Sequence, residues 1–213
     1  VPETGTLELH GHVPEEGAAA PVLAALRAEM GADIPVRPNL RVLPRPQCEV
    51  VSVIAGAGLP QSTDQALDAR LVGEDTHVRE FAFSAGERLE LELAAPDYDA
   101  YLYVDYFDAA GQVIHLRPNE AVPLRRAGAG SIQSIGGADD GTPGLRLEIG
   151  PPFGQEIVVA IAASAPLFDA PRPLVEPAGP YLADLSRRIA EARTLDPAFR
   201  GEWVYFLVIT RPS

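Results

Sequence analysis

Short apolar runs alternate with turn-forming residues along this chain, and the period of each run predicts its element. In Arg88–Ala94, Leu89, Leu91 and Leu93 alternate with Glu90 and Glu92, the period-two pattern of a half-buried strand. Ala100–Phe107 (AYLYVDYF) is dense in aromatic and β-branched residues and predicts another strand. Asp108-Ala-Ala-Gly111 closes a hairpin into Gln112–Leu116, and Arg117-Pro118-Asn119 stops it. Leu145–Ile149 alternates cleanly, whereas Glu156–Ala163 and Trp203–Ile209 are apolar on both faces and predict central, covered strands. A proline-rich excursion over 166–180 leads into Tyr181–Arg193. There Leu182, Leu185 and Ile189 recur at helical spacing, and Asp184 can pair with Arg188 across one turn.

The first sixty residues read differently. Thr6–Val13 predicts a strand, Ala18–Met30 a helix with an apolar stripe of Val22, Leu23, Leu26 and Met30, and Gly31 its C-cap. Ile34–Leu43 is extended again, with Pro35 and Pro38 marking an edge, and a second helix runs from Pro46 to about Ala55. The expected class is therefore α+β: a small βαβα module over 5–60, a linker or first strand over 61–74, and an antiparallel β-sandwich with a late helix over 75–213. Further strands are expected at 67–72 and 77–83.

One family likeness is carried by the order FxxGExLxLxL, YLYVxYxDxxGxVxxLxPN and LxLxIGPPFGxExIVxAIAxxxPL. Phe83, Gly86, Glu87, Tyr101, Leu102, Tyr103, Asp108, Gly111, Leu116, Pro118, Asn119, Gly150, Gly154, Glu156 and Ile157 carry it. On these residues the region from about Asp75 onward resembles the bacterial domain-of-unknown-function family 4384. Members of that family often sit C-terminal to Ser/Thr kinase-like or caspase-like modules. The resemblance implies the C-terminal, extracytoplasmic part of a larger kinase-like protein and brings no established chemistry. The first part faintly resembles the small bacterial BON-type modules.

Composition narrows the partners. A net charge of −13 over 213 residues argues against nucleic acid and anionic lipid, which need a basic footprint. No apolar run reaches the roughly 20 residues of a membrane-spanning helix, although a full-length protein with an anchor is expected. The opening VPETGTLELHG lacks both Met and a basic-then-apolar leader, so a processed or excised part of a longer protein is expected. The expected location is periplasm or cell envelope, with the cytoplasm left open. Cys48 is the single cysteine; Val50, Val51 and Ile54 nearby make it a small core residue.

Candidate chemistry is sparse. His10 and His12 point to one side of a strand, outward, and two ligands fall short of an ordinary zinc site. His115 alternates with Ile114 and Leu116, which leaves it facing away from their core. Asp97, Asp99 and Asp108 read as turn formers, and Asp139-Asp140-Gly141 as a turn before a cation site. No nucleophile elbow, phosphate loop, dinucleotide fingerprint or kinase signature is present. No metal site and no cofactor is expected. Tyr101 and Tyr103 share a strand face with Asp105, and two readings stand: a surface aromatic patch suited to protein or glycan, or core with satisfied hydroxyls. The places to look for binding are thus Tyr101, Tyr103 and Asp105, and the glycine-rich 127–144 loop with Ser131, Asp139 and Asp140. The expected role is a non-catalytic sensing or interaction module that binds a protein partner or envelope ligand. A hydrolase using carboxylates gathered by the fold, or an assembly subunit, are the alternatives.

Overall fold

The computed structural model describes residues 6–31, 34–62, 80–136 and 145–213. Over these the class is α+β, and strands and helices fall close to where the apolar periods put them. Strand β1 (Leu7–Val13) and strand β2 (Val36–Val42) pair in parallel, joined by a 3-10 turn and helix α1 (Ala19–Met30). Parallel pairing needs such a crossover, and Pro35 and Pro38 are tolerated because a two-stranded sheet consists of edges. Gly31 ends α1 at φ 92°, its N–H donating to the Arg27 carbonyl. The expected stripe on α1 is not buried, however: Val22 and Met30 are exposed, and Leu23 and Leu26 are half-covered. Helix α2 (Gln47–Gly56) follows.

The rest is organised on one seven-stranded sheet. Its members are β3 (Glu80–Ser84), β6 (Ala100–Phe107), β7 (Gln112–Arg117), β8 (Arg126–Ala127), β11 (Gln155–Ala163), β12 (Val175–Pro177) and β13 (Gly201–Arg211). They run in the order β12-β7-β6-β11-β13-β3, with β8 on the first residues of β6. Pairing is antiparallel except between β13 and β3. As their doubly apolar sequences require, β11 and β13 are both flanked by other strands.

Two short ribbons cover one face: β4 (Arg88–Leu89) with β10 (Leu147–Glu148), and β5 (Leu91–Ala94) with β9 (Ile132–Ile135). Leu89, Leu91, Leu93, Ile135 and Ile149 pack there on Val104, Tyr106, Val158, Phe206 and Val208. The second layer of the sandwich is thus two ribbons. The opposite face carries helix α3 (Ala178–Leu195), whose Tyr181, Leu182, Leu185 and Ile189 are buried on the sheet. Alongside α3, the same core takes Leu43, Val50, Ile54 and Leu59 from the first part of the chain. Most of the expected linker, the strand at 67–72 and the start of the strand at 77–83 lie outside the described residues. Gln61 and Ser62 run beside Trp203 of β13.

Candidate functional site

Strand β6 alternates its side chains between the two covered faces, so Tyr101, Tyr103 and Asp105 all point toward the helix side. The expected shared face is therefore correct, but the surface patch is not. Tyr103 is 2% exposed and Asp105 1%, and Tyr101 is half-buried. The physical reason is that α3 and the 164–174 loop close over this face, and the Tyr103 hydroxyl accepts the Leu167 N–H at 2.8 Å.

A register shift between Val104 and Asp105 sets Asp105 directly across from His115 on β7. His115 does face away from the core of Ile114 and Leu116, as its alternation implied, yet it is 2% exposed, walled in by the same layer. Its Nδ1 lies 2.6 Å from Asp105 Oδ1 and its Nε2 3.0 Å from Glu176 Oε1, on edge strand β12. Tyr181 of α3 donates its hydroxyl to Asp105 Oδ2 at 2.5 Å and sets its ring edge-on to the imidazole. Arg172 grips Glu176 with two hydrogen bonds of 2.7 and 2.6 Å and reaches Asp184 Oδ2 at 2.8 Å. Its guanidinium lies over the rings of Phe168 and Tyr181, 5.1 and 5.4 Å from their centroids.

A ring with a carboxylate oxygen on each nitrogen must donate from both, which only the imidazolium can do. Burial opposes that charge, but the hydrogen bonds and attraction of Asp105 and then Glu176 outweigh it, and the His115 pKa is raised. Burial likewise pushes Glu176 up, yet bonds from Arg172 and His115 prevail and its pKa is lowered. Tyr181 is pushed well above its ordinary value, first by burial and then by the Asp105 charge. The five groups Asp105, His115, Glu176, Arg172 and Asp184 thus form one connected chain of alternating charge under the sheet's edge.

Above this chain opens a hollow of about 230 Å³, with a floor of Tyr103, His115 and Tyr181 and walls of Phe168, Leu124 and Arg172. Asn119 closes one end, buried and saturated: its amide donates to the His115 and Leu116 carbonyls and accepts from Ala121 and Val122. The hollow can seat an apolar or aromatic group. It offers no proton acceptor from the histidine, because both ring nitrogens are engaged.

A smaller hollow of about 150 Å³ on the ribbon side is lined by Glu156 and Tyr106. Glu156 is 3% exposed; it accepts the Tyr106 hydroxyl on Oε2 and the Ala109 N–H on Oε1. Burial raises its pKa against the pull of these donors. A third hollow of about 320 Å³, the roomiest of the three, lies between Gly58, Tyr98, Arg193 and Glu202. It is more open and holds no buried ionic group, so the hollow over His115 is the stronger candidate.

The remaining expectations divide. Ser131 closes a turn, donating to the Gly128 carbonyl at 2.6 Å and accepting from Gln133, away from the hollow. Asp139 and Asp140 lie outside the described residues. Asp108 accepts the Ala110 and Gln112 N–H groups as a turn former, and Asp99 accepts that of Ala129. His12, expected to point outward, sets its ring edge-on to Tyr205 at 6.1 Å. Cys48 is half-buried beside the helix-side core, its thiol pushed up by burial. Among the described residues no group of three or more His, Cys, Asp or Glu could hold a metal ion. Sequence reasoning did not find Arg172, Glu176 and Tyr181 as site residues. The four-residue spacing of Arg172 and Glu176 inside an otherwise proline-rich stretch was the available clue.

Residues 82–166 match the family model of a domain of unknown function (DUF4384), which bears out the likeness carried by the strand and turn motifs. The matched stretch runs from β3 to the end of β11, so it supplies Asp105 and His115, while Arg172, Glu176 and Tyr181 lie beyond it. No curated protein and no solved structure matches the chain. Among the described residues no helix is long and apolar enough to cross a membrane.

Proposed function

We propose that this chain is a non-catalytic sensing and interaction module, the extracytoplasmic end of a larger kinase-like bacterial protein, and that the hollow over His115 seats an apolar group of its partner. The observation that supports this reading is the engagement of the buried polar groups on the floor of that hollow, whose lining also includes the exposed Glu120 and Asp169. His115 is held by Asp105 and Glu176, Arg172 by Glu176 and Asp184, and the Tyr181 and Tyr103 hydroxyls by Asp105 and Leu167. A general base or nucleophile needs a free lone pair within reach of substrate. A preformed, largely apolar recess over a hydrogen-bonded floor suits recognition.

The hydrolase reading draws on Glu156, a buried carboxyl with a raised pKa beside the smaller hollow. Both its oxygens already accept hydrogen bonds, which weighs against an acid–base role.

A photo-crosslinking residue at Leu124, introduced into the native gene product in its own cells, tests the proposal. The expected result is a discrete adduct in the envelope fraction, on a polypeptide much larger than this chain, and absent when the residue stands at Arg37. A product near the size of this chain that stays in the soluble fraction without an adduct would overturn it.

A further inference from the structure

His115 stands between one carboxylate deep in the sheet and one at its edge. Asp105 lies on the central strand β6 and is also bonded by the Tyr181 hydroxyl of α3 at 2.5 Å. Glu176 lies on β12, an edge strand of three residues whose last, Pro177, has no N–H to give to β7. Apolar burial does little to hold this strap of residues 172–177. Leu174 and Val175 are exposed, and the side chains that turn inward are Arg172 and Glu176. On the backbone, the His115 N–H donates to the Leu174 carbonyl at 2.9 Å. The strap therefore rests on the sheet largely through the contact of Glu176 with His115, 3.0 Å long.

That contact depends on one proton. The imidazolium donates to both carboxylates, whereas the neutral ring keeps a single N–H. Asp105 retains it, because its contact of 2.6 Å is the shorter and its carboxylate the more deeply buried. Nε2 then turns a lone pair toward Glu176 Oε1, and two acceptors face each other. Glu176 does not need the ring: Arg172 donates to both of its oxygens, at 2.7 and 2.6 Å. The other groups around the ring do not replace the lost donor. The Tyr103 hydroxyl accepts the Leu167 N–H, Arg172 also binds Asp184 of α3, and Glu120 and Asp169 at the rim of the hollow are acids. Burial opposes the charged ring, but Asp105 and then Glu176 outweigh it, so the proton leaves above the ordinary 6.5.

We propose that His115 is a proton-operated latch: its imidazolium fastens β12 to β7, and loss of the proton frees this edge strand and reshapes the hollow that His115 floors and Arg172 walls. The sensed input is then the proton itself. On the reading of that hollow as a partner's seat, the latched form is the one that binds. Affinity for the partner falls as pH rises through the titration of His115, since a ligand that prefers one form follows its population.

Backbone hydrogen exchange of the whole chain, corrected for its intrinsic pH dependence, tests the latch between pH 6 and pH 9, with the His115 ring protons followed by NMR over the same range. Protection of the His115 N–H, which reports on the strap through Leu174, should fall at least about tenfold, with its midpoint at the titration of the ring. The Thr210 N–H, bonded to the Gly154 carbonyl at 2.9 Å on another part of the sheet, should not change. In Glu176→Gln the side-chain amide donates to neutral Nε2, so the alkaline loss of protection should disappear. A ring that keeps one charge state over the whole range would overturn the latch. So would a ring that titrates while protection holds, or an equal loss in Glu176→Gln. None of these readouts needs a partner: alkaline opening without an adduct at Leu124 would keep the latch and remove the seat.

Discussion

His115 carries a carboxylate on each ring nitrogen, and that fixes the sign of its pH dependence. Its folded-state pKa lies above the ordinary 6.5, so its stabilisation is complete below about that pH and is lost as pH rises through the raised value. Glu176 works in the other direction: its lowered pKa contributes stability above the ordinary carboxylate range that is lost only in stronger acid. Urea midpoints measured from pH 5 to 9 should therefore decline toward alkaline pH in the parent and lose that decline in His115→Gln. Equal slopes would reject the buried imidazolium. At neutral pH the same variant leaves Asp105 without its cation and should cost about 3–5 kcal/mol. Tyr181→Phe removes only the second donor to Asp105, and about 1.5–3 kcal/mol is expected from equilibrium unfolding. The alternation of β6 was enough to place Tyr101, Tyr103 and Asp105 on one face. What the sequence could not show is the layer that covers them, because Glu176 meets His115 from 61 positions away. Local period carries no information about such a closure.

At the scale of elements, two helices of similar apolar spacing have opposite fates. Helix α3 buries Leu185 and Ile189 at 1% and 0% exposure, while α1 leaves Val22 at 44%. Spacing shows that a helix has an apolar face; it does not show whether anything packs on it. Ile189→Ala should therefore cost about 2–5 kcal/mol through its cavity, and Val22→Ala should stay within about 0.5 kcal/mol. Thermal or urea unfolding of the two variants side by side measures the contrast, and comparable losses would mean that α1 is packed after all. The strands were the more legible elements, since alternation in β5 and double apolarity in β11 and β13 translate directly into one or two covered faces. Gly136 marks a limit of that legibility. It follows β9 at φ 85°, and a Cβ there would sit 2.0 Å from the Leu89 carbonyl oxygen. The positive φ and the close approach of β4 together explain why this glycine cannot be replaced, and the second of these is invisible in the sequence.

At the scale of the whole molecule, the helix-side core joins parts that the sequence separates. Leu43, Val50, Ile54 and Leu59 precede residues 63–79, and they pack with Tyr103, Ile157, Leu185 and Trp203, which follow them. Trp203, the one tryptophan, donates its indole N–H to the Leu59 carbonyl at 3.1 Å, so its emission reports on this seam. A shared core makes the energetics of the two parts inseparable, because opening one exposes the apolar surface of the other. Ile54 is 2% exposed on α2, and Ile54→Ala should remove about 2–5 kcal/mol. The loss should appear as a shift of one transition, with tryptophan emission and far-UV circular dichroism moving together. Had α2 belonged to a module that folds alone, the variant would instead split the curve. Emission would change early, while the ellipticity of the seven-stranded sheet held to the parent's midpoint. Coincident curves mean that a ligand binding either part stabilises both, and that coupling is what a sensing module requires of its core.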